Sequence, residues 1–188
     1  IGFATGICTG MSIPVSQAFG AGDYKTMRKY LANALYLSAL ISVIMTIGTI
    51  LFTGDLLRLM KTPEELYDYA YDYIFTVFAG ISATILYNLL SSMLRSIGDS
   101  RTPLIFLAIA AALNIGLDFL FILVLHTGVS GAGYASVISQ GVSGILCLIY
   151  MFRKYEIFRI QKDERQVSLQ HCGRLLSIGL PMALQFSI

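Results

Sequence analysis

The stretch 102–125 constrains this chain most, because it is apolar for the length of a bilayer crossing and yet contains Asn114 and Asp118. About 20 apolar residues form a helix that spans the hydrocarbon core. A carboxylate at that depth costs roughly 2.5–3.5 kcal/mol on insertion scales, so such a residue usually has a function. Residues four apart lie on one face of a helix, which places Asn114 directly above Asp118. The pair is therefore either a polar contact that joins two helices or a binding site for a cation or proton.

The composition assigns the whole chain to a membrane. Of its 188 residues, 56% are hydrophobic and only 13% are charged, and the mean hydropathy is +0.72. In soluble domains about 25% of residues are charged. The sequence therefore predicts an all-α integral membrane protein, a polytopic helical bundle. The net charge of +2 could suggest anionic partners, but the positions of the charged residues reflect membrane topology instead. No nucleic-acid partner is expected.

Five apolar stretches predict membrane crossings, at about 1–19, 30–54, 73–94, 102–125 and 131–152, and Asp118 is the one charged residue within them. In the first stretch Gly2, Gly6 and Gly10 are spaced four apart, a pattern that lets helices approach closely in lipid. The second stretch is expected to end at the turn signal 53–55. Thr62 and Pro63, followed by two glutamates, predict the N-terminus of a helix that leads into the third stretch.

The segment 153–174 is polar and mixed in charge, and it is expected to link two bundles. An apolar run begins again at Leu175. Since the chain starts and stops within apolar runs, it is expected to be part of a longer protein.

Lys and Arg residues are distributed unequally between the two sides of the predicted crossings. One side carries eleven of the 13, and the other carries only Arg58 and Lys61. The eleven are Lys25, Arg28, Lys29, Arg95, Arg101, Arg153, Lys154, Arg159, Lys162, Arg165 and Arg174. Under the positive-inside rule the side with eleven is cytoplasmic.

Several function classes have no support in the residue pattern. Cys8, Cys147 and Cys172 are odd in number and far apart, so neither a disulfide framework nor a zinc site is predicted. The predicted crossings contain no cluster of His and carboxylates, no Ser/Lys dyad and no metal-ligand spacing. An enzyme is therefore not expected.

Four short motifs, in order along the chain, resemble those of the multidrug and toxic compound extrusion (MATE) family. PVSQAFGAGD at 14–23, before a basic loop, is similar to the end of the family's second transmembrane helix. RSIGD at 95–99, before a Thr-Pro pair, resembles its loop between helices 4 and 5. The pair Asn114 and Asp118 with GVSGA at 128–132 resembles helix 5 and the start of helix 6, and IGLP at 178–181 resembles the opening of helix 7.

This resemblance implies a transporter of two six-helix lobes that exports organic cations and other amphiphiles in exchange for protons or sodium. The chain would contain helices 2–6 of the amino-terminal lobe at 1–152, a cytoplasmic linker at 153–174 and the truncated start of the carboxy-terminal lobe at 175–188. It would be a multi-pass protein of the plasma (inner) membrane. Its partners would be the lipid bilayer, small amphiphilic or cationic substrates, and the carboxy-terminal lobe of the same chain, and it would need no cofactor besides the coupling ion.

The resemblance also implies roles for single residues. Asn114 and Asp118 match the helix 5 residues of the family's amino-terminal cation site, so they are predicted to bind the coupling proton or a sodium ion. Tyr87, Asn88 and Gln17 are candidate cavity-lining residues, and each could instead form a hydrogen bond between helices. The alternative function is a flippase for lipid-linked saccharides of the same superfamily. Such a flippase is expected to carry cationic residues within the membrane, whereas no Lys or Arg lies inside the predicted crossings.

Overall fold

The computed structural model describes residues 2–60 and 63–188, and in this part of the chain the regular elements are helices, with no strand. The α-helices are α1 (Gly2–Gly20), α2 (Tyr24–Leu59), α3 (Glu64–Ala79), α4 (Ile81–Ser96), α5 (Arg101–Asp118), α6 (Val129–Lys154) and α7 (Leu169–Gln185). A π-helical segment, Phe119–Val124, continues α5, and two short 3-10 turns, Glu156–Phe158 and Lys162–Glu164, lie between α6 and α7. The predicted all-α class is confirmed.

The first helix, α1, lies at the centre of the bundle and packs closely against α7. A Cβ atom on Gly6 would lie 2.6 Å from the carbonyl oxygen of Met182, and one on Gly10 would lie 2.6 Å from the Cα of Gly179. Only hydrogen fits at these positions, so the glycine spacing brings the two backbones into contact. The close helix approach predicted from the sequence is therefore confirmed.

Three described helices are long and apolar enough to cross a membrane, namely Tyr24–Leu59, Arg101–Val124 and Val129–Lys154. The pair Leu66–Ala79 and Ile81–Ser96 meets the same test as one span bent by 43°, which makes four. The first of the five predicted crossings corresponds to α1, which is helical but does not meet the hydropathy test. Its glycine, serine and threonine residues lower its hydropathy, and the neighbouring helices rather than lipid surround much of its surface.

The second helix does not end where the turn signal 53–55 predicts. It continues through Gly54 to Leu59. The Thr53 hydroxyl donates to the carbonyl of Thr49 at 2.7 Å, and the hydroxyl of Tyr67 on α3 reaches the carbonyl of Gly54 at 3.5 Å. These contacts hold the segment helical despite the roughly 1 kcal/mol cost of a helical glycine.

The third predicted crossing is two helices rather than one. α3 begins at Glu64, one residue after Pro63, while Thr62 lies outside the described residues. The helix breaks at Gly80, where an added Cβ would clash with the side chain of Val137 on α6. The close approach of α6 at this point accompanies a bend that the uniform apolar pattern does not predict.

The segment after α6 is ordered by contacts with α2. Arg28 binds Glu164 through two charge-assisted hydrogen bonds of 2.6 and 2.7 Å, and the Glu164 side chain is only 1% exposed. Asn33 is fully buried, donates to the carbonyl of Gln166 at 3.3 Å and accepts from the backbone N–H of Ser168 at 2.9 Å. The following helix, α7, begins at Leu169, six residues before the apolar run that was expected to start it at Leu175.

Candidate functional site

The predicted ion-binding residues lie near the end of α5. This helix starts in the tight loop after α4, where the carboxylate of Asp99 accepts the backbone N–H of Thr102 at 3.0 Å. From there it runs through an apolar sequence to Asp118, its last residue. Asn114 and Asp118 are both partly buried, one helical turn apart on the same face.

The helical winding changes directly after Asp118. The backbone N–H of Leu125 donates to the carbonyl of Leu120 at 3.0 Å, a spacing of five residues instead of four. This wider π-helical winding is uncommon and is often found at functional sites. It alters the register of the side chains beyond Asp118, so the carboxylate stands at the junction of two helical geometries.

Asn114 contacts the neighbouring helix α6. Its side-chain amide donates to the hydroxyl of Ser136 at 3.4 Å. The sequence did not indicate Ser136, because no spacing within one helix gives the register between two helices. The only available signal was its place in a serine- and glycine-rich stretch of α6, which permits close packing against α5.

A small cavity lies beside this contact. Its volume is about 180 Å³, and it is lined by Tyr87, Leu107, Ala110, Ala111, Asn114, Ser136, Ser139 and Gln140. A second cavity of about 160 Å³ shares Ser136 and Gln140 with the first and extends toward α3. Both are large enough for water or a small ion and carry hydroxyl and amide oxygens. Polar groups therefore line a continuous region from Asn114 to Gln140.

Asp118 has a buried oxygen without a partner. Its Oδ1 atom is inaccessible to solvent and makes no hydrogen bond with any described residue. Buried polar atoms are nearly always hydrogen-bonded, so such an atom indicates an ion, a water molecule or a functional role. This carboxylate could accept a proton or coordinate a hard cation, because such cations prefer oxygen ligands.

The three other candidate residues have different surroundings. Tyr87 lines the cavity beside Asn114, and its hydroxyl also donates to the carbonyl of Pro103 on α5 at 2.9 Å, so it both borders the cavity and joins two helices. Asn88 donates to the carbonyl of Thr84 at 2.8 Å on its own helix. It is not among the residues that line the cavity.

Gln17 lies in a different part of the molecule from Asn114. It accepts a hydrogen bond of 3.3 Å from Arg174 on α7. It lines a separate cavity between α1 and α4 that also contains Arg95. The structure thus brings Tyr87 to the predicted site but separates Gln17 from it.

No group of three or more His, Cys, Asp or Glu residues in the described ranges could hold a metal ion. The oxygen donors of this part of α5 and α6 are the single carboxylate of Asp118 and, around the cavity beside Asn114, amide and hydroxyl groups. This donor set differs from the clustered ligands of structural or catalytic metal centres.

Comparisons with known proteins agree with the motifs. The family model MatE matches residues 1–120. "Probable multidrug resistance protein YpnP" of Bacillus subtilis (strain 168) is 33% identical over 100% of this chain, which spans 42% of the relative's length. A solved structure described as the inward-facing conformation of a multidrug resistance MATE family transporter of the MOP superfamily has a TM-score of 0.90 and 27% identity. It covers 98% of this chain and is matched over 42% of its own length.

A second solved structure, a MOP superfamily transporter from Pyrococcus furiosus, matches 100% of this chain and 42% of its own length. Its TM-score is 0.91 and its identity is 28%, and its description states that reverse polarity of the binding pocket suggests a different function. The chain thus spans less than half the length of the relatives it matches. Family members are membrane transporters and not enzymes. By its family model, its relatives and its fold, the chain belongs to the MatE family.

Proposed function

We propose that the complete protein exports small amphiphilic or cationic compounds across the plasma membrane in exchange for protons or sodium. Asp118 binds the coupling ion in this proposal. The relatives described as multidrug resistance proteins support the transport activity. The ion site rests on one observation, the buried Oδ1 atom of Asp118 that has no hydrogen-bond partner among the described residues.

The physical basis of coupling is the cost of a bare carboxylate in a low-dielectric environment. A negative charge at this position is unfavourable until a proton or cation neutralises it. A sodium ion and a proton therefore compete for the same carboxylate, and a cationic substrate could displace either one. Release of the ion and binding of substrate are linked because both depend on the same carboxylate.

Asn114 and Ser136 have a supporting role. Their contact joins α5 to α6 at 3.4 Å, one helical turn from Asp118, so in this proposal they hold in place the helix that carries the carboxylate. An amide and a hydroxyl supply dipoles without net charge, so they orient the site but do not replace the carboxylate. Tyr87 forms one wall of the adjoining cavity.

The decisive experiment is Asp118→Asn in the full-length protein, reconstituted into liposomes under a proton or sodium gradient. This substitution keeps the shape of the side chain and removes its charge, so we expect efflux of a fluorescent cation to be abolished while insertion and expression stay normal. Asn114→Ala should weaken ion coupling by about 1 kcal/mol, roughly fivefold, the value of a lost hydrogen bond.

The matched control is Asn88→Ala, which removes the same amide from α4, where it bonds only its own helix among the described residues. This variant should transport normally. Normal gradient-driven efflux by Asp118→Asn would show that Asp118 is a structural contact and that coupling resides elsewhere in the full-length protein.

A further inference from the structure

A groove with an apolar floor and two arginines lies between α2, α6 and the segment that follows α6. Its volume is about 470 Å³. The lining consists of Ala32, Leu35, Tyr36, Phe152, Arg159, Ile160 and Arg165. None of these residues belongs to the region around Asp118, so the groove is a separate feature of the protein.

The groove lies at the boundary between the apolar helices and the basic face. Glu164 is bound to Arg28 in the first turns of α2, which fixes the neighbouring Arg165 near that level. Tyr36 follows about two helical turns later on α2, roughly 12 Å along the axis at ~1.5 Å per residue. It is 46% exposed, and an exposed tyrosine at this depth is typical of the membrane–water interface.

The two arginines of the groove have weak or no ion pairs. Arg159 contacts Glu156 at 3.2 Å, but both side chains are mostly exposed, at 61% and 80%, so this pair contributes little and can exchange. Arg165 has no carboxylate within 4.0 Å among the residues with described side chains. The nearby acid Glu164 is already occupied by Arg28. Two guanidinium groups are therefore available to an anion.

We propose that this groove binds an anionic phospholipid from the adjacent leaflet. The headgroup phosphate lies between Arg159 and Arg165, because guanidinium groups match phosphate oxygens in pairs. One acyl chain runs along Leu35, Tyr36 and Phe152 toward the hydrocarbon. The apolar floor distinguishes this site from one for a free anion, since a soluble phosphate would leave those side chains uncovered.

The affinity comes mainly from charge. Each basic residue near an anionic bilayer surface contributes ~1 kcal/mol, which corresponds to roughly fivefold per arginine and roughly thirtyfold for the two together. A lipid in this position would also cover the junction between the two helices and the ordered segment 156–164. Its binding should therefore raise the thermal stability of the protein.

The test uses the purified full-length protein in detergent, with its melting temperature measured against added lipid. Dioleoyl phosphatidylglycerol should raise the melting temperature at concentrations at which dioleoyl phosphatidylcholine has no effect. The double variant Arg159→Gln/Arg165→Gln should shift the phosphatidylglycerol titration by roughly thirtyfold. Arg153→Gln is the matched control, because it removes an exposed arginine from the same region that does not line the groove. It should leave the titration unchanged.

Two further arms make the proposal falsifiable. The variant Arg159→Lys/Arg165→Lys keeps the charge and should retain most of the preference for phosphatidylglycerol, which separates loss of charge from loss of folding. Glycerol 3-phosphate, added as the headgroup alone, should have no effect on the melting temperature. Equal stabilisation by both lipids, an unchanged titration in the double Gln variant, or full stabilisation by glycerol 3-phosphate would each overturn the proposal.

Discussion

Asp99 shows how much one loop residue organises. Its carboxylate accepts the backbone N–H of Thr102 at the start of α5, the hydroxyl of the same threonine, and the hydroxyl of Tyr155 after α6. Burial acts to raise its pKa, but these hydrogen bonds outweigh that effect, and the pKa of Asp99 is lowered to about 2. One side chain therefore caps α5 and ties the loop before it to the end of α6.

We expect the contact between Asp99 and Tyr155 to contribute measurably to stability. In a double-mutant cycle, Asp99→Ala and Tyr155→Phe should show a coupling energy of about 1–2 kcal/mol in unfolding of the full-length protein. The control Asp23→Ala removes a simple cap on the Thr26 N–H at the start of α2 and should be less destabilising than Asp99→Ala. Additive effects of the two substitutions would contradict the contact.

The same carboxylate should give a defined pH dependence. Its folded pKa is lowered below the unfolded value of about 3.9. Its stabilisation is therefore complete above that unfolded value and is lost as the pH falls toward the folded pKa. The difference in melting temperature between the parent and Asp99→Asn should be constant at neutral pH and should shrink in acid.

Spacing along the sequence predicted the position of some site residues and not of others. The helical period alone put Asn114 and Asp118 on one face, because both belong to one helix. The position of Ser136 beside Asn114 depends on how α5 packs on α6, which the sequence does not give. The hydroxyl of Thr84 on α4 donates to the side-chain oxygen of Gln140 on α6 at 2.7 Å, and this contact between two helices likewise had no signal in the sequence.

At the scale of elements, glycine had three different outcomes. The prediction of close helix packing was correct for Gly2, Gly6 and Gly10 on α1, the glycine stripe, because the spacing of four is itself the signal. The prediction that the helix ends near Gly54 was wrong, because hydrogen bonds from the hydroxyls of Thr53 and Tyr67 to backbone carbonyls hold this segment helical. The break at Gly80 was missed, because the close approach of Val137 on α6 that accompanies it is not visible in the sequence of α3 and α4. Whether a glycine ends a helix depends on the neighbouring elements, and sequence alone does not show them.

The packing of α1 on α7 gives a direct test of the glycine stripe. Gly10→Ala should lower the stability of the full-length protein by about 1–3 kcal/mol, the usual cost of overpacking, because the new methyl group meets the backbone of Gly179. Gly48→Ala on α2 is the matched control, since nothing lies within 4 Å of its added Cβ. It should be neutral or stabilising by up to about 1 kcal/mol. Equal effects of the two substitutions in thermal unfolding would refute the tight contact.

For the molecule as a whole, the segment after α6 is more than a connection. It was predicted as a linker from its polarity, yet Glu164 is buried against Arg28, whose hydrogen bonds lower the pKa of the Glu164 carboxyl against the effect of burial. Breaking one partner of a buried ion pair costs about 3–5 kcal/mol. A mixed-charge segment without periodicity gives no sign of such a partner 136 residues away. The division into two lobes at 153–174 stays a prediction.

The distribution of charge predicts how the molecule lies in the membrane. The face that contains Arg28, the segment 153–174 and the loop after α4 carries eleven of the 13 Lys and Arg residues, and should therefore be cytoplasmic. In a full-length protein with every cysteine replaced by alanine, Cys8, Cys147 and Cys172 included, Asp163→Cys and Asp68→Cys place single thiols at exposed positions. The predicted topology puts these two positions on opposite sides of the membrane. An impermeant maleimide added to intact cells should label the Asp68 variant and not the Asp163 variant. Opening the cells should make both reactive, which controls for accessibility. Labelling of the Asp163 variant in intact cells would reverse the orientation and would place the groove of Arg159 and Arg165 in the outer leaflet.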